Sequence, residues 1–266
     1  MMKNPPEISV VIPVFNRKRL LLRAIRSVLY QTFTDFEIIV VDDGSEEEIS
    51  PLLEALGLEN LSYHKLPHQN ANLARNYGTN LAKGKYLAML DSDDEWLKHH
   101  LESNLKIMHK HPCDGIYSSV VARSAEGSRI FQVRPLYEDE QMVNYLLSTN
   151  IGAQTSTLFM KTKAARLVRW DETLFRHQDY DFVVRFDKNF RWFVNLDATA
   201  IYHSEPNPGR TVDFGSCIRF IEQNKPDILP EVYLAYHNRM LKYAIALKSE
   251  RAIINHYFRN SQPLQP

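Results

Sequence analysis

The sequence predicts an α/β fold in which a mainly parallel central sheet becomes mixed and is flanked by helices. Short apolar runs alternate with helical segments over the first ninety residues, which is the pattern of right-handed parallel crossovers. The alternation loosens after Asp94, so strands of the second half are expected to add in both directions. The last fifty residues are helical in pattern. We therefore predict one domain over residues 1–212 and a C-terminal helical extension over 213–266.

The first strand, helix and second strand have the clearest patterns. ISVVIPV, residues 8–14, is a β-branched run that ends near Pro13, as expected for a buried parallel strand. Residues 19–31 carry apolar side chains on one helical face and arginines on another. FEIIVV, residues 36–41, is a second buried strand and runs directly into Asp42. These three segments predict a βαβ unit.

The next segments extend the same alternation. Residues 61–66 favour a third strand, and residues 72–82 favour a helix with Gly84 just beyond as a stop signal. Residues 86–90 form another apolar run. Further along, the patterns predict helices at 97–109 and 179–186, strands at 115–121, 155–160 and 194–202, and helices between 214 and 258 with breaks near Pro226 and Pro230.

Composition narrows the class of protein. The 32 basic and 32 acidic residues cancel, so no global field favours nucleic acid. Cys113 and Cys217 lie far apart, which argues against a disulfide framework or a structural zinc site. Since neither an apolar leader nor a spanning stretch is found, we expect a cytoplasmic protein. Peripheral attachment at the inner face of the membrane and homodimer formation are left open.

Two acidic clusters end two predicted strands. Asp42 and Asp43 follow residues 36–41, and Asp91, Asp93 and Asp94 follow residues 86–90. An Asx turn or helix cap would explain either cluster alone. However, the carboxyl ends of parallel strands share one sheet edge, where ligands bind, and so much negative charge there favours a cation. A few carboxylates with open positions are typical of Mg²⁺ or Mn²⁺ bound with a diphosphate.

The residues around the clusters point to a nucleotide. A carboxylate at Asp43 accepts hydrogen bonds, so it can select the ring N–H of uracil, thymine or guanine over cytosine. Neither GxxxxGK[ST] nor GxGxxG follows the first strand, which argues against a nucleotide kinase or a dinucleotide oxidoreductase. Arg75 and Asn76 lie off the apolar stripe of their helix. A solvated face and a contact to the base or phosphates are both compatible with that position.

Four motifs together resemble a known family. ISVVIPVFN, QTFTDFEIIVVDDGS, LARNYGTNLAKGKYLAMLDSDDEW and WDETLFRHQDYDFVVR occur in this order. They resemble the inverting family 2 glycosyltransferases of the GT-A fold, a nucleotide-diphospho-sugar transferase fold, and in particular bacterial enzymes of exopolysaccharide, capsule or lipopolysaccharide synthesis. The resemblance covers roughly residues 7–205.

The resemblance implies roles for individual residues. It assigns nucleotide binding to residues at the strand ends and on the helix predicted at 72–82: Pro13, Asn16, Asp43, Arg75, Asp91 and Asp93. It implies Mn²⁺ or Mg²⁺ as cofactor, with ligands from Asp93, Asp94 and His203. Asp179 matches the general base of the family's "ED" motif, although Gln178 replaces the usual Glu and leaves the protonation of Asp179 open. A lid over residues 204–210, with Arg210 reaching the diphosphate, is a further expectation.

The implied function is metal-dependent, inverting transfer of a sugar from a nucleotide-diphosphate donor. A UDP-sugar is the preferred donor, and the acceptor is a hydroxyl of a saccharide or lipid-linked saccharide in surface polysaccharide synthesis. A nucleotidyltransferase of the same fold is one alternative, but it would need a glycine-rich basic loop where this chain has PVFNRK. A non-catalytic nucleotide- or sugar-binding module is the other.

Overall fold

A nine-stranded mixed sheet is the central layer of the computed structural model, which describes residues 4–149, 151–152, 154–204 and 212–262. The strands are β1 Ile8–Val14, β2 Phe36–Asp42, β3 Leu61–Lys65, β4 Tyr86–Met89, β5 Glu95–Trp96, β6 Gly115–Ser124, β7 Gly127–Phe131, β8 Phe159–Lys161 and β9 Trp192–His203. The predicted α/β class and the mixed sheet are confirmed.

Helices lie between and after these strands along the chain. The α-helices are α1 Lys18–Leu29, α2 Ser50–Glu54, α3 Ala71–Leu81, α4 His100–Lys110, α5 Met142–Thr149, α6 Thr162–Val168, α7 Gln178–Asp187, α8 Phe214–Asn224, α9 Pro230–Ala246 and α10 Arg251–Asn260. Within the described ranges, 3₁₀ turns lie at Thr155–Thr157 and Lys225–Asp227.

The sheet has a parallel half and a mixed half. Its order is β3-β2-β1-β4-β8-β6-β9-β5, with β7 paired to β6. β1 is parallel to both β2 and β4, and β2 is parallel to β3. β8 runs antiparallel to β4 and to β6 and so joins the two halves. The carboxyl ends of β1, β2 and β4 therefore meet at one edge of the sheet.

Apolar packing fixes this parallel half. All seven residues of β1 are buried, and α1 buries Leu21, Ile25 and Val28. Burying one such side chain stabilises a fold by roughly 1.5–3 kcal/mol. Gly84, predicted as a helix stop, has a second reason to be glycine: an added Cβ would lie 2.5 Å from the backbone nitrogen of Ser9 in β1. This packing fixes the positions of the strand ends in the parallel half.

The second half departs from the predicted pattern in its short elements. Residues 155–160 were expected as one strand, but Thr155–Thr157 forms a 3₁₀ turn and the strand begins at Phe159. The helix predicted at 97–109 begins only at His100, because the two-residue strand β5 pairs with β9 before it. Pairings this short depend on distant partners, which a local pattern does not reveal.

The chain divides into two compact units. One contains residues 1–135 and 153–210, and the other contains residues 136–152 and 211–266. In the second unit, α9 packs against both α5 and α10. No helix within the described ranges has the length and apolar character needed to cross a membrane. The boundary between residues 212 and 213 stays a prediction.

Asp187 gives a stability test. It ends α7, where the helix dipole disfavours a negative charge, and burial raises the pKa of its carboxyl to about 6. A carboxyl with a raised folded-state pKa stabilises the fold while protonated and loses that contribution as pH rises through 6. We expect Asp187→Asn to raise Tm at pH 7.5 by about 2 °C or more, and the gain to disappear near pH 4.

Differential scanning calorimetry at the two pH values measures this effect. Asp197→Asn, at an exposed position, is the matched control and should leave Tm unchanged at both. A Tm of Asp187→Asn equal to that of the parent protein at pH 7.5 would contradict the assignment.

Candidate functional site

The loop after β1 ties together the three strand ends at the carboxyl edge. Asn16 adopts a left-handed backbone conformation with φ +50°, and its N–H donates to Ser45 Oγ at 2.8 Å. Its Oδ1 accepts from the N–H of Glu46 at 2.8 Å. The next residue, Arg17, donates to Asp93 Oδ2 at 2.5 Å. Asn16 therefore holds the loop after β2, and Arg17 holds the loop after β4. Pro13 is buried in β1.

Asp42 and Asp43 have different surroundings. Both oxygens of Asp42 are engaged within the fold: Oδ2 accepts from the Tyr63 hydroxyl at 2.6 Å, and Oδ1 accepts from the N–H of Ser45 at 2.8 Å. Asp42 is thus a turn-forming residue. The pKa of Tyr63 is raised by burial and by this carboxylate. Only Asp43 of the pair is left as a candidate ligand group.

Asp43 is held beside an aromatic pair. Its side chain is 4% exposed, Oδ1 accepts from the N–H of Gln69 at 2.9 Å, and Oδ2 lies 2.9 Å from His68 Nδ1. The His68 ring stacks on Phe15 with centroids 4.0 Å apart. Gly44, the residue after Asp43, has φ +80°, and a Cβ there would lie 2.6 Å from the backbone nitrogen of His68. The close approach of this loop to Asp43 therefore requires glycine.

The three carboxyls after β4 lie at different depths. Asp94 is 3% exposed, Oδ2 accepts from Ser156 Oγ at 2.5 Å, and Oδ1 accepts from the N–H of His203 at 3.2 Å. Burial, together with the charges of Asp91 and Asp93, raises the pKa of Asp94 to about 8. Burial is the larger cause, so this carboxyl would be mainly ionised at neutral pH only with additional positive charge beside it.

Asp91 and Asp93 are more accessible, with side chains 29% and 33% exposed. The pKa of Asp93 is also raised, by burial and by Asp91, although Arg17 and Arg23 oppose the shift. Carboxylate oxygens of this kind are what a hard divalent cation prefers. Among the described residues, this edge has no three side-chain ligand atoms within 4.8 Å of one another, so an ion here would need water or phosphate oxygens as well.

Arg75 joins the acidic cluster to α7. Its side chain is 6% exposed, so the solvated helix face considered from the sequence is wrong. Its Nη2 donates to Asp91 Oδ1 at 2.8 Å, and its Nη1 donates to Gln178 Oε1 at 3.3 Å. The guanidinium carbon also lies 4.7 Å from the centre of the Trp170 ring. The same guanidinium therefore neutralises Asp91 and positions the first turn of α7.

Asn76 has a structural role in α3. It is 3% exposed, and its amide donates to the carbonyl oxygen of Trp170 at 2.9 Å and to Glu172 Oε1 at 2.8 Å. Asn72 likewise donates to the carbonyl oxygens of Asp171 and Leu174. The polar side of α3 thus anchors the segment that leads into α7.

Asp179 lies in the first turn of α7 and is partly buried. Burial raises its pKa and Asp91 adds to the rise, whereas the N–H of Tyr180 and the charge of Arg75 lower it. The preceding Gln178 accepts from Arg75 and donates to the carbonyl oxygen of Leu174 at 3.0 Å. A glutamate could not make the second bond while ionised, so the amide suits this position.

His203 meets the acidic cluster through its backbone. Its Nε2 lies 2.6 Å from Glu95 Oε1, and Arg23 and Arg123 each approach that carboxylate at 3.8 Å. A metal-binding role for the imidazole of His203 stays a prediction. The predicted lid and Arg210 lie outside the described residues, apart from Ser204.

Sequence reasoning missed several residues that shape the site. Ser156 binds Asp94 from 62 positions away and carries no motif, so no local signal could have found it. His68 lies in an irregular loop. Arg17 was accessible to inference, because it directly follows the loop residue Asn16 and begins a basic stretch, NRKR.

Comparison with known proteins gives a consistent result. The model of the family described as glycosyl transferase family 2 matches residues 9–175, more than half of the chain. The amylovoran biosynthesis glycosyltransferase AmsB of Erwinia amylovora is 33% identical over 208 residues, which cover 73% of this chain and 69% of that protein. Some curated relatives are much longer, and this chain spans 24–28% of three of them.

Solved structures match the fold over 96% of the chain. S. aureus TarS 1-349 in complex with UDP-GlcNAc gives a TM-score of 0.71 at 18% identity, with 82% of that chain covered. The mannosyltransferase PcManGT from Pyrobaculum calidifontis in complex with GDP-Man and Mn²⁺ gives 0.57 at 13% identity, with 69% covered. The expected GT-A fold is confirmed.

Arg75→Ala tests the ion pair with Asp91. Removing the guanidinium leaves Asp91 without its partner and Gln178 without its donor, but Asp91 is 29% exposed and water can replace part of the contact, so the loss is about 1–3 kcal/mol. We expect the free energy of unfolding, measured by urea denaturation, to fall by about 2 kcal/mol. Arg75→Lys keeps the charge but not the planar fork, so it should lose less. A loss within about 0.5 kcal/mol for the alanine variant would contradict the role described.

Proposed function

The chain belongs to glycosyl transferase family 2, and from that premise we propose a metal-dependent, inverting transfer of a sugar from a nucleotide-diphosphate donor, with a UDP-sugar preferred. The acceptor is a hydroxyl of a saccharide or lipid-linked saccharide in surface polysaccharide synthesis, as the name of the Erwinia relative suggests. The observation that carries the proposal is the group of three carboxyls after β4, two of them accessible and one buried, on the same sheet edge as Asp43.

Base recognition is assigned to the loops after β1 and β2. Asp43 offers only acceptor oxygens, and the contacts from Gln69 and His68 fix its orientation. It would accept the ring N–H of uracil, and Pro13 and Asn16 would line the nucleoside. The relatives in complex with UDP-GlcNAc and with GDP-Man hold bases that both carry such an N–H. The uracil preference therefore rests on the family resemblance and not on Asp43 alone.

The diphosphate is assigned to the end of β4. Asp91 and Asp93 have accessible oxygens and would face the phosphates, with Asp93 as the principal ligand of Mn²⁺ or Mg²⁺. Both oxygens of Asp94 already accept hydrogen bonds, so Asp94 would bind the ion through lone pairs that these bonds leave free or after one bond is given up. The remaining candidate ligand is His203. When bound, the ion would supply positive charge to the oxygens of the leaving diphosphate.

Asp179 is the proposed general base. Burial raises its pKa and so makes the carboxylate a stronger base toward an acceptor hydroxyl, while the charge of Arg75 favours the ionised form. Arg75, held between Asp91 and Gln178, fixes the position of α7 relative to the acidic cluster. A single displacement with a base and no protein nucleophile inverts the anomeric centre.

Incubation with UDP-, GDP- and dTDP-sugars tests the proposal. Release of nucleoside diphosphate in Mn²⁺ should exceed the release in EDTA, and NMR of the product should give an anomeric configuration opposite to that of the donor. Retention of configuration, or equal turnover in EDTA, would contradict the mechanism.

Asp179→Asn separates binding from chemistry. The amide keeps the shape of the side chain but cannot take a proton, and loss of a general base costs about 10²–10⁴ in rate. We expect kcat to fall by at least a hundredfold while the donor Kd changes little. Asp171→Asn, just outside α7, is the control carboxylate. Full activity in Asp179→Asn would move the base elsewhere.

A further inference from the structure

Three helices of the second unit converge on a group of side chains that the transfer reaction does not use. Glu222 comes from α8, His237 from α9 and His256 from α10. One potential ligand atom from each lies within 4.8 Å of the other two. This is the one such group of three among the described residues.

His237 has an orientation typical of a metal-binding histidine. Its side chain is fully buried, and Nδ1 lies 2.9 Å from the carbonyl oxygen of Tyr233. That carbonyl can only accept, so Nδ1 carries the proton and Nε2 keeps its lone pair. Metal-bound histidines commonly donate their other ring N–H to such a carbonyl. The Nε2 of His237 is buried and has no hydrogen-bond partner.

His256 also has a buried ring nitrogen without a hydrogen-bond partner. Its Nε2 is buried without a partner, and its ring centre lies 5.9 Å from that of His237. Leaving one buried polar atom unsatisfied costs about 1–3 kcal/mol, so two such atoms on neighbouring rings favour a shared ligand. Burial lowers the pKa of both imidazoles, which favours the neutral form that a cation binds.

The third member supplies charge and is itself positioned. The Tyr233 hydroxyl lies 3.2 Å from Glu222 Oε1 and can hydrogen-bond to it. Lys225 Nζ is 4.0 Å from Glu222 Oε2 but is 55% exposed, so the ammonium can move into solvent. Tyr233 thus contacts two members of the group, through its carbonyl and its hydroxyl, as partners around metal ligands do.

We propose that Glu222, His237 and His256 form a binding site for a divalent transition metal of the zinc class. Two neutral imidazoles and one carboxylate are ligands that Zn²⁺ prefers, and three protein ligands leave one position for water. Because the ligands come from α8, α9 and α10, the ion cross-links the helices of this unit. The site is separate in residues and in chemistry from the oxygen ligands after β4, and it does not depend on the proposed transfer reaction.

Zinc titration of the tag-free, full-length chain against a chromophoric chelator tests the site. The titration uses the Asp93→Asn variant, which lacks the principal metal ligand proposed after β4. Zinc bound by this variant is therefore assigned to Glu222, His237 and His256. We expect one equivalent to bind, and a rise in Tm of about 2 °C or more with Zn²⁺. Co²⁺ should give the strong visible absorption of a tetrahedral site with nitrogen ligands.

Single ligand substitutions decide the outcome. His256→Gln and Glu222→Gln should each weaken zinc binding by at least tenfold, since changing even an outer-shell partner costs 10–100-fold. His237→Gln should do the same, and if it fails to fold, the other two variants decide. The exposed His109→Gln is the histidine control and should bind zinc like the parent. Zinc affinity unchanged in both His256→Gln and Glu222→Gln, or no zinc bound by the parent chain, would overturn the proposal.

Discussion

Buried negative charge at the end of β4 is the constraint on which the rest of the site depends. Asp94 is enclosed, and its neighbours Asp91 and Asp93 raise the free energy of its ionised form. Arg17, Arg23 and Arg75 surround the cluster, yet the pKa of Asp93 and of Asp94 remains raised. A fold gains no stability from such a surplus, so the surplus is better explained by a ligand that carries positive charge to this edge.

Arg75 connects that charge to the proposed chemistry. It is buried in contact with Asp91, Gln178 and the Trp170 ring, and the polar side of α3 anchors the segment leading into α7. The distance between the acidic cluster and Asp179 is therefore set by side-chain packing and not by a flexible loop. Such preorganisation is what a displacement reaction needs, because the base and the leaving group must lie on opposite sides of one carbon.

The parallel half and its strand-end residues were predictable because their signals are local. β1, β2 and β4, and helices α1 and α3, lie within two residues of their predicted bounds, since each combines an uninterrupted apolar pattern with a stop signal. Motif order then indicated the family. In contrast, Ser156, His68 and the two-residue strand β5 depend on partners far away in sequence, and no periodicity records such a pairing. The burial of Arg75 was missed for the same reason.

The central claim is that the acidic edge binds a nucleoside diphosphate through a divalent cation. Isothermal titration of UDP, GDP, dTDP and CMP into the chain, each in Mn²⁺ and in EDTA, tests it most directly. We predict that UDP binds in Mn²⁺ and at least tenfold more weakly in EDTA, and that CMP binds poorly in both. Equal affinity for UDP in Mn²⁺ and EDTA, or no binding by any of the four nucleotides, would contradict the claim.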